Sequence, residues 1–283
     1  MPTLRPPCIP KAPRAIEKGV PLTSLLDTEA VECLGHNLYY VDQNFDIDRF
    51  MQLSLAGLEP LSLMQRGKHI ANALHNCLPQ RYDEAIAMLI ASMPPERPYS
   101  EDFGLAGFFY LPHSFYIAEY GRDPSYNQGE DPFDSAVRGM LALTVRFSAE
   151  FAIRDFLIER PEHTLKYIEA WLTHESPHVR RLCSEGTRPK LPWGKQLKAF
   201  ISDPSPTLPI LEALKDDPAL YVRRSVANHL GDIAKNHPER VFDICERWLV
   251  GASDERKWLI RHALRHPAKK KLARALAIRS HAK

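Results

Sequence analysis

The residues best suited to chemistry in this chain are arginines that directly follow a branched apolar residue. The pair recurs as Val145-Arg146, Val179-Arg180, Val222-Arg223 and Ile260-Arg261, at spacings of 34, 43 and 38 residues. Arg181 and Arg224 extend two of the copies. Guanidinium groups repeated along one side of a protein neutralise phosphates and gain affinity by releasing counterions. The structural alternative is that each arginine snorkels over a repeat core or pairs with an acid of the next repeat. A carboxylate lies at the first of these sites. Glu150 falls between Phe147 and Phe151, with Arg146 and Arg154 four residues to either side. A buried Glu in a helix is costly unless paired, and an ordinary i,i+4 ion pair is the plain alternative.

Other chemistries find no support in the spacing. The twelve histidines form no H-E-x-x-H or comparable ligand pattern, and the five cysteines include no C-x-x-C pair, so neither a metal nor another cofactor is expected. No G-x-G-x-x-G or G-x-x-x-x-G-K-[ST] occurs, and glycine is scarce (13) beside proline (24), which argues against a nucleotide-binding α/β fold. Scattered thiols suit a reducing compartment. No apolar run approaches the length of a membrane span. Residues 1–20 are proline-rich and basic, without the apolar segment of a signal peptide, and are expected to form a flexible arm on a cytoplasmic protein.

The elements that must position the arginines are helices. Leu53, Leu58, Leu61, Met64, Ile70 and Leu74 recur at three- and four-residue steps, as do Ala85, Met88, Leu89 and Met93. Pro60, Pro79, Pro94 and Pro95 end one helix and admit the next. Asn-Gly and Asp-Gly hairpin signals are absent. The stretch from Pro94 to Pro132 is the least regular and holds Tyr99, Phe103, Phe108, Phe109, Tyr110, Phe115, Tyr116, Tyr120 and Tyr126, which suggests an aromatic-lined loop or short-helix segment. The fold class is all-α. The arginine spacings fit stacked HEAT or armadillo helix pairs, a solenoid with a concave face that successive arginines would make basic.

Net charge is only +2, but its distribution is uneven. From Ser92 to Ser135 there are eight acids against two bases, whereas Arg256 to Lys283 carries ten Lys or Arg and no acid. The basic stretch is either the solvated face of a terminal helix or a surface for phosphates.

Several longer stretches go beyond pattern: RFSAEFAIRDFL (146–157), VRRLCSEGTRPKLPW (179–193), YVRRSVANHLGDIAKNHPE (221–239) and KWLIRHALRH (257–266). With PLTSLLDTEAVECL (21–34), LEPLSLMQRGKHIANAL (58–74) and LPQRYDEAIAML (78–89), they closely resemble the AlkC branch of the bacterial DNA alkylation-repair glycosylases. The resemblance runs from about Pro21 to Arg265. It implies a HEAT-like solenoid, a single domain over 21–283, that cups duplex DNA and removes cationic N-alkylated bases. The substrates implied are 3-methyladenine and, for this branch, 3-methylcytosine. It further implies a monofunctional, metal-free enzyme that engages the lesion without a deep base pocket. The chain looks like the shorter form, without an appended immunoglobulin-like domain, and a monomer is the default.

On that reading a carboxylate must stabilise an oxocarbenium-like sugar and position water. Glu150 is the first choice, Glu119 in YIAEYG the second, and Asp232 in HLGDIAK matches a family aspartate, with capping or pairing to Arg223 as its alternative. Gly231 stands where Asn is usual and Asp155 where proline is common, two departures from the family pattern. Trp193 is the aromatic expected against a cationic base, with Tyr116 and Tyr120 as weaker candidates. Arg188 and Lys190 are expected phosphate contacts beside Arg146, Arg154, Arg180, Arg181, Arg223, Arg224 and Arg261. The competing class is a non-catalytic helical-repeat scaffold that binds nucleic acid or protein.

Overall fold

A computed structural model of the chain describes residues 4–96 and 104–283. Tyr99 and Phe103 of the aromatic stretch lie outside the described residues. The chain divides into two compact units, Met1–Ala152 and Ile153–Lys283. Among the described residues there is no strand, and no helix is long and apolar enough to cross a membrane.

The first unit holds α1 (Thr28–Val41), α2 (Ile47–Leu55), α3 (Leu63–Cys77), α4 (Tyr82–Ala91), α5 (Leu111–Tyr120) and α6 (Phe133–Thr144). Their starts are written in the sequence. Asp27 and Asp46 accept the N–H groups of Ala30 and Arg49 at 3.2 and 2.9 Å, and Ser62 with Gln65 forms a capping box at α3. Gly67 lets α3 lie against α5, since a Cβ there would meet the Phe115 ring at 2.8 Å. Buried Arg66 ties the 22–26 turn to α3, donating to the carbonyls of Thr23, Leu26, Glu59 and Leu61. Part of the expected N-terminal arm is held down. Asn37, 1% exposed, accepts the Cys8 N–H at 3.1 Å and donates to the Cys8 carbonyl at 2.7 Å.

The second unit contains α7 (Ala152–Glu159, begun on the last residue of the first unit), α8 (Pro161–Trp171), α9 (Pro177–Gly186), α10 (Lys198–Ser202) and α11 (Leu208–Leu214). It continues with α12 (Leu220–Ile233), α13 (Pro238–Leu249), α14 (Asp254–Ala263), α15 (Arg265–Lys269) and α16 (Ala273–His281). Proline begins α8, α9 and α13, where the missing N–H costs nothing. Helices α8 and α9, α11 and α12, and α13 and α14 are consecutive packed pairs, and α12 lies between α9 and α14. This is a HEAT-like stack. Val179, Val222 and Ile260 are all buried in it.

The arginines after them act as struts within the stack. Arg180 donates to the carbonyls of His174 and Glu175, six and five residues back, at 2.7 and 2.8 Å. Arg223 does the same with Asp217 and Pro218, again six and five residues back. Arg180 also reaches the next repeat, where its Nε and Nη2 lie 2.6 and 3.1 Å from the Asp217 carboxylate. The other two copies are out of register, which corrects the expectation of four equivalent arginines. Val179 and Val222 are third in their helices, Ile260 is seventh in α14, and Val145 follows the end of α6. Only Arg180 and Arg223 are repeat equivalents.

Asp217, 6% exposed, also accepts the Ala219 N–H at 2.8 Å and so joins two repeats. Asp217→Ala should cost about 3 kcal/mol in urea unfolding, since it strands a guanidinium at low exposure. The double variant with Arg180→Met should cost clearly less than the sum of the two single changes.

Candidate nucleic-acid interface

In the first unit, Glu150 does not lie in a helix. The α6 helix ends at Thr144, Arg146 and Phe147 fold back onto the Leu143 carbonyl, and Glu150 occupies a turn before α7. The intrahelical i,i+4 geometry is therefore absent. Arg146 instead donates to the carbonyls of Pro94 and Ala142, both at 2.7 Å, and serves as an internal brace rather than a phosphate contact. Glu150 is half-buried, and the Ser148 hydroxyl donates to its Oε2 at 2.6 Å. That bond orients the carboxylate.

Glu119 is the exposed residue of a helix whose other faces are buried. Tyr116 is 1% exposed and stacks on Tyr82, so it belongs to the core and cannot contact a lesion, contrary to expectation. Tyr120 is also buried: its ring stacks on His75 at 4.0 Å and its hydroxyl donates to Asn72. Both tyrosines repeat at helical spacing because they pack. The same spacing carries no information about a ligand.

In the second unit, the loop from Thr187 to Leu197 is shaped from beneath by Arg154. This side chain is wholly buried. It donates to the Lys195 carbonyl through Nε and to the carbonyls of Gly186 and Arg188 through Nη1, at 3.0 and 2.8 Å. Arg154 is thus a scaffold for the loop and no phosphate contact. Lys195 adds an ion pair to Asp155, so the acid that stands where proline was expected also holds the loop. On top of the loop Trp193 is 60% exposed with φ of 62°, the left-handed region that disfavours a bulky side chain.

Arg188 points inward, which overturns its assignment to phosphate. It lies 2.6 Å from Glu185 Oε1 and 2.8 Å from Asp232 Oδ2, and all three residues are buried. Asp232 pairs with Arg188 and with Lys235 at 2.8 Å, not with Arg223. Ser225 donates to Glu185 Oε2 at 2.6 Å, completing that carboxylate. Arg180 and Arg223 are spent on loop carbonyls as described, and Arg261 donates to the Ala282 carbonyl. Arg181 lies over the Tyr221 ring and 3.4 Å from Glu185. Arg224 is exposed, and Lys190 donates to Asn236 at 2.6 Å on the surface.

A cleft opens above this network. Lys190 and Pro192 of the loop, Asn228 and Lys235 of α12 and its C-terminal turn, and Arg265 and His266 of α15 line it, with Arg188 and Asp232 at its floor. Lys235, Arg265 and His266 were missed as site residues. For Arg265 and His266 the signal available was the acid-free density of the C-terminal stretch, which a solvated helix would also produce, and Lys235 lies outside that stretch. Among the described residues no group of three or more His, Cys, Asp or Glu is placed to hold a metal.

Comparison with known proteins places this geometry. The family described as DNA alkylation repair enzyme matches residues 143–267. The uncharacterized protein YhaZ of Bacillus subtilis is 35% identical over 258 residues, covering 91% of this chain and 67% of YhaZ. Among solved structures, the Pseudomonas fluorescens alkylpurine DNA glycosylase AlkC, bound to DNA containing an abasic site analog, matches with a TM-score of 0.81. It is 36% identical, over 92% of this chain and 67% of that one. The chain belongs to the AlkC branch of the DNA alkylation repair enzymes.

In this AlkC-type chain the buried charges set a pH dependence. Burial pushes the Glu185 carboxyl up, but Arg181 and Arg188 beside it, with the Ser225 hydroxyl, outweigh burial and hold it below the ordinary range. The stabilisation it provides is present at neutral pH and is lost only as pH falls through that lowered value. His229 titrates earlier in its effect. Its Nδ1–H donates to the Ser184 carbonyl at 3.0 Å, its Nε2 is buried without a hydrogen-bond partner, and burial pushes its pKa down to about 4. The unfolded chain takes up that proton near the ordinary value of 6.5, so stability falls from there toward the folded value. His229→Gln removes this proton uptake. The stability gap between wild type and the variant should narrow by about 2 kcal/mol between pH 7 and 5 in chemical unfolding. A gap that stays constant would show that His229 is not neutral in the fold.

Proposed function

We propose that this chain is a monofunctional DNA glycosylase that binds duplex DNA and hydrolyses the N-glycosidic bond of cationic N-alkylated bases, 3-methyladenine and also 3-methylcytosine. The observation that carries the reading is the likeness, at 36% identity over 92% of this chain, to an alkylpurine DNA glycosylase bound to DNA. A base that already bears positive charge leaves without protonation by a general acid. Breaking the C1′–N bond carries the electron pair to the ring nitrogen and leaves an oxocarbenium-like sugar. A carboxylate stabilises that cation and accepts the proton of the water that adds to C1′.

Of the three acids, Glu150 suits the task best. Its carboxylate is oriented by Ser148 and only half-buried, whereas Asp232 is buried and ion-paired with Arg188 and Lys235. Asp232 is therefore assigned to holding the Arg188 loop, and Glu119, exposed on α5, is the second carboxylate. Trp193 is assigned to the DNA: an exposed ring held out by the braced loop offers an electron-rich face to a cationic base. Lys190 and Arg224 remain as phosphate contacts from the original set, and the protein works as a monomer on cytoplasmic DNA.

The test is base release from methylated duplex, comparing wild type with Glu150→Gln at DNA concentrations that saturate both. Wild type should release 3-methyladenine or 3-methylcytosine, and the variant should be slower by about 100-fold or more in single turnover. Salt-sensitive duplex binding by wild type without any base release would instead leave a non-catalytic repeat scaffold.

A further inference from the structure

Several arginines of the second unit are neutralised by acids across a helix gap. Arg256 meets Asp216, with Nε 2.7 Å from Oδ1, and Arg274 meets Glu239, Asp243 and Glu246 at 2.6 to 2.8 Å. Arg240 faces Asp203 at 3.3 Å. At the cleft above Asp232 the cations outnumber the acids. Its acid, Asp232, is shared between Arg188 on one oxygen and Lys235 on the other, and Glu185 behind it is shared between Arg188 and Arg181, so three cations meet two anions. Arg265 is exposed and held by neutral groups, donating to Asn228 Oδ1 at 2.9 Å and to the His262 carbonyl at 3.2 Å. The His262 ring also lies 3.1 Å from Asn228 Oδ1, which keeps this amide oxygen turned toward the cations. Lys190, on the opposite rim, likewise ends on a neutral amide.

The histidines register the imbalance. Burial and then Lys270, Lys235, Lys269 and Arg265 push the His266 pKa down, and burial with Arg265 and Arg224 pushes that of His262 down to about 4. A region where successive cations face one another is costly in the absence of an anion and becomes favourable when one binds. The cleft floor at Gly231 carries no side chain, Pro192 and Ala263 are the apolar residues lining it, and the His266 imidazole is the one ring there. The exposed run Lys269, Lys270 and Lys271 continues the positive surface away from the cleft, which suits an extended polyanion better than a small one.

We propose that this cleft binds a phosphodiester group of a DNA backbone, with Lys235, Arg265 and His266 as its ligands. The proposal rests on duplex DNA being the partner, and it does not require that the chain release bases. A phosphate oxygen between Arg265 and Lys235 replaces cation–cation repulsion with two charge-assisted hydrogen bonds. His266 faces Lys235 from the turn after α12, Arg265 and Lys269 from α15, and Lys270 beyond it, with Asp232 the acid at the floor. A bound phosphate makes protonation of His266 favourable, so binding is accompanied by proton uptake.

The experiment measures affinity for an undamaged duplex between about 50 and 200 mM salt, for wild type, Arg265→Gln, Arg265→Glu and His266→Gln. Removing one phosphate contact should flatten the slope of log K against log salt by about 0.9. Arg265→Gln should show that flattening, with about a tenfold loss at low salt, and Arg265→Glu should lose more. Wild-type affinity should rise between pH 7.5 and 6 more steeply than that of His266→Gln. An unchanged slope in both Arg265 variants, or a loss equal at all salt concentrations, would overturn the site. Base release by wild type is scored in the same preparation. Flattened slopes without base release would retire the glycosylase reading and keep the site. Base release with unchanged slopes would do the reverse.

Discussion

A single guanidinium, that of Arg154, fixes the part of the second unit on which the candidate interface is built. A charged side chain with no solvent exposure is tolerable only when its N–H groups find acceptors. Here the acceptors are carbonyls of one irregular segment, at Gly186, Arg188 and Lys195. The burial of the charge and the path of the loop therefore require each other. With the loop fixed, Arg188 can turn inward to Glu185 and Asp232 while Lys190 and Trp193 stay on the outside. Removing Arg154 would disturb the interface although Arg154 itself has no exposure to solvent.

The same device recurs through the chain on a smaller scale. Arg66, Arg146, Arg180 and Arg223 all donate to carbonyls left open where a helix ends or a turn begins. Helical repeats leave many such carbonyls, and a long planar side chain with five donors reaches them where a lysine could not. The arginine content of the repeats is accordingly divided. A buried share holds helix pairs together, and an exposed share includes Arg224 and Arg265.

That division explains what the sequence made legible. Helix boundaries follow prolines and capping acids because those residues act locally, and the VRR copies in α9 and α12 adopt one geometry because their neighbours are alike. Ile260-Arg261 has the same pattern, a branched apolar residue followed by arginine, one turn later in its helix, a shift that spacing alone does not reveal. Arg146 and Arg154, four residues to either side of Glu150, suggest a helix, yet α6 stops at Thr144 and Ser148 precedes a turn. The proline-fixed GTRPKLPW loop suggests an exposed Arg188, and the partner that turns it inward, Asp232, is 44 residues away. Tyr116 and Tyr120 show the converse: an aromatic at helical period is a packing signal first.

The backbone at Trp193 has a further consequence for the protein as material for selection. A tryptophan in the left-handed region is held against its own preference by about 1 kcal/mol, and glycine would relieve that strain while deleting the ring. Stability and the exposed aromatic are thus opposed at one codon. A population screened for heat resistance alone would drift toward glycine there, whereas one screened for survival of DNA damage would keep the strained residue if the ring serves the DNA.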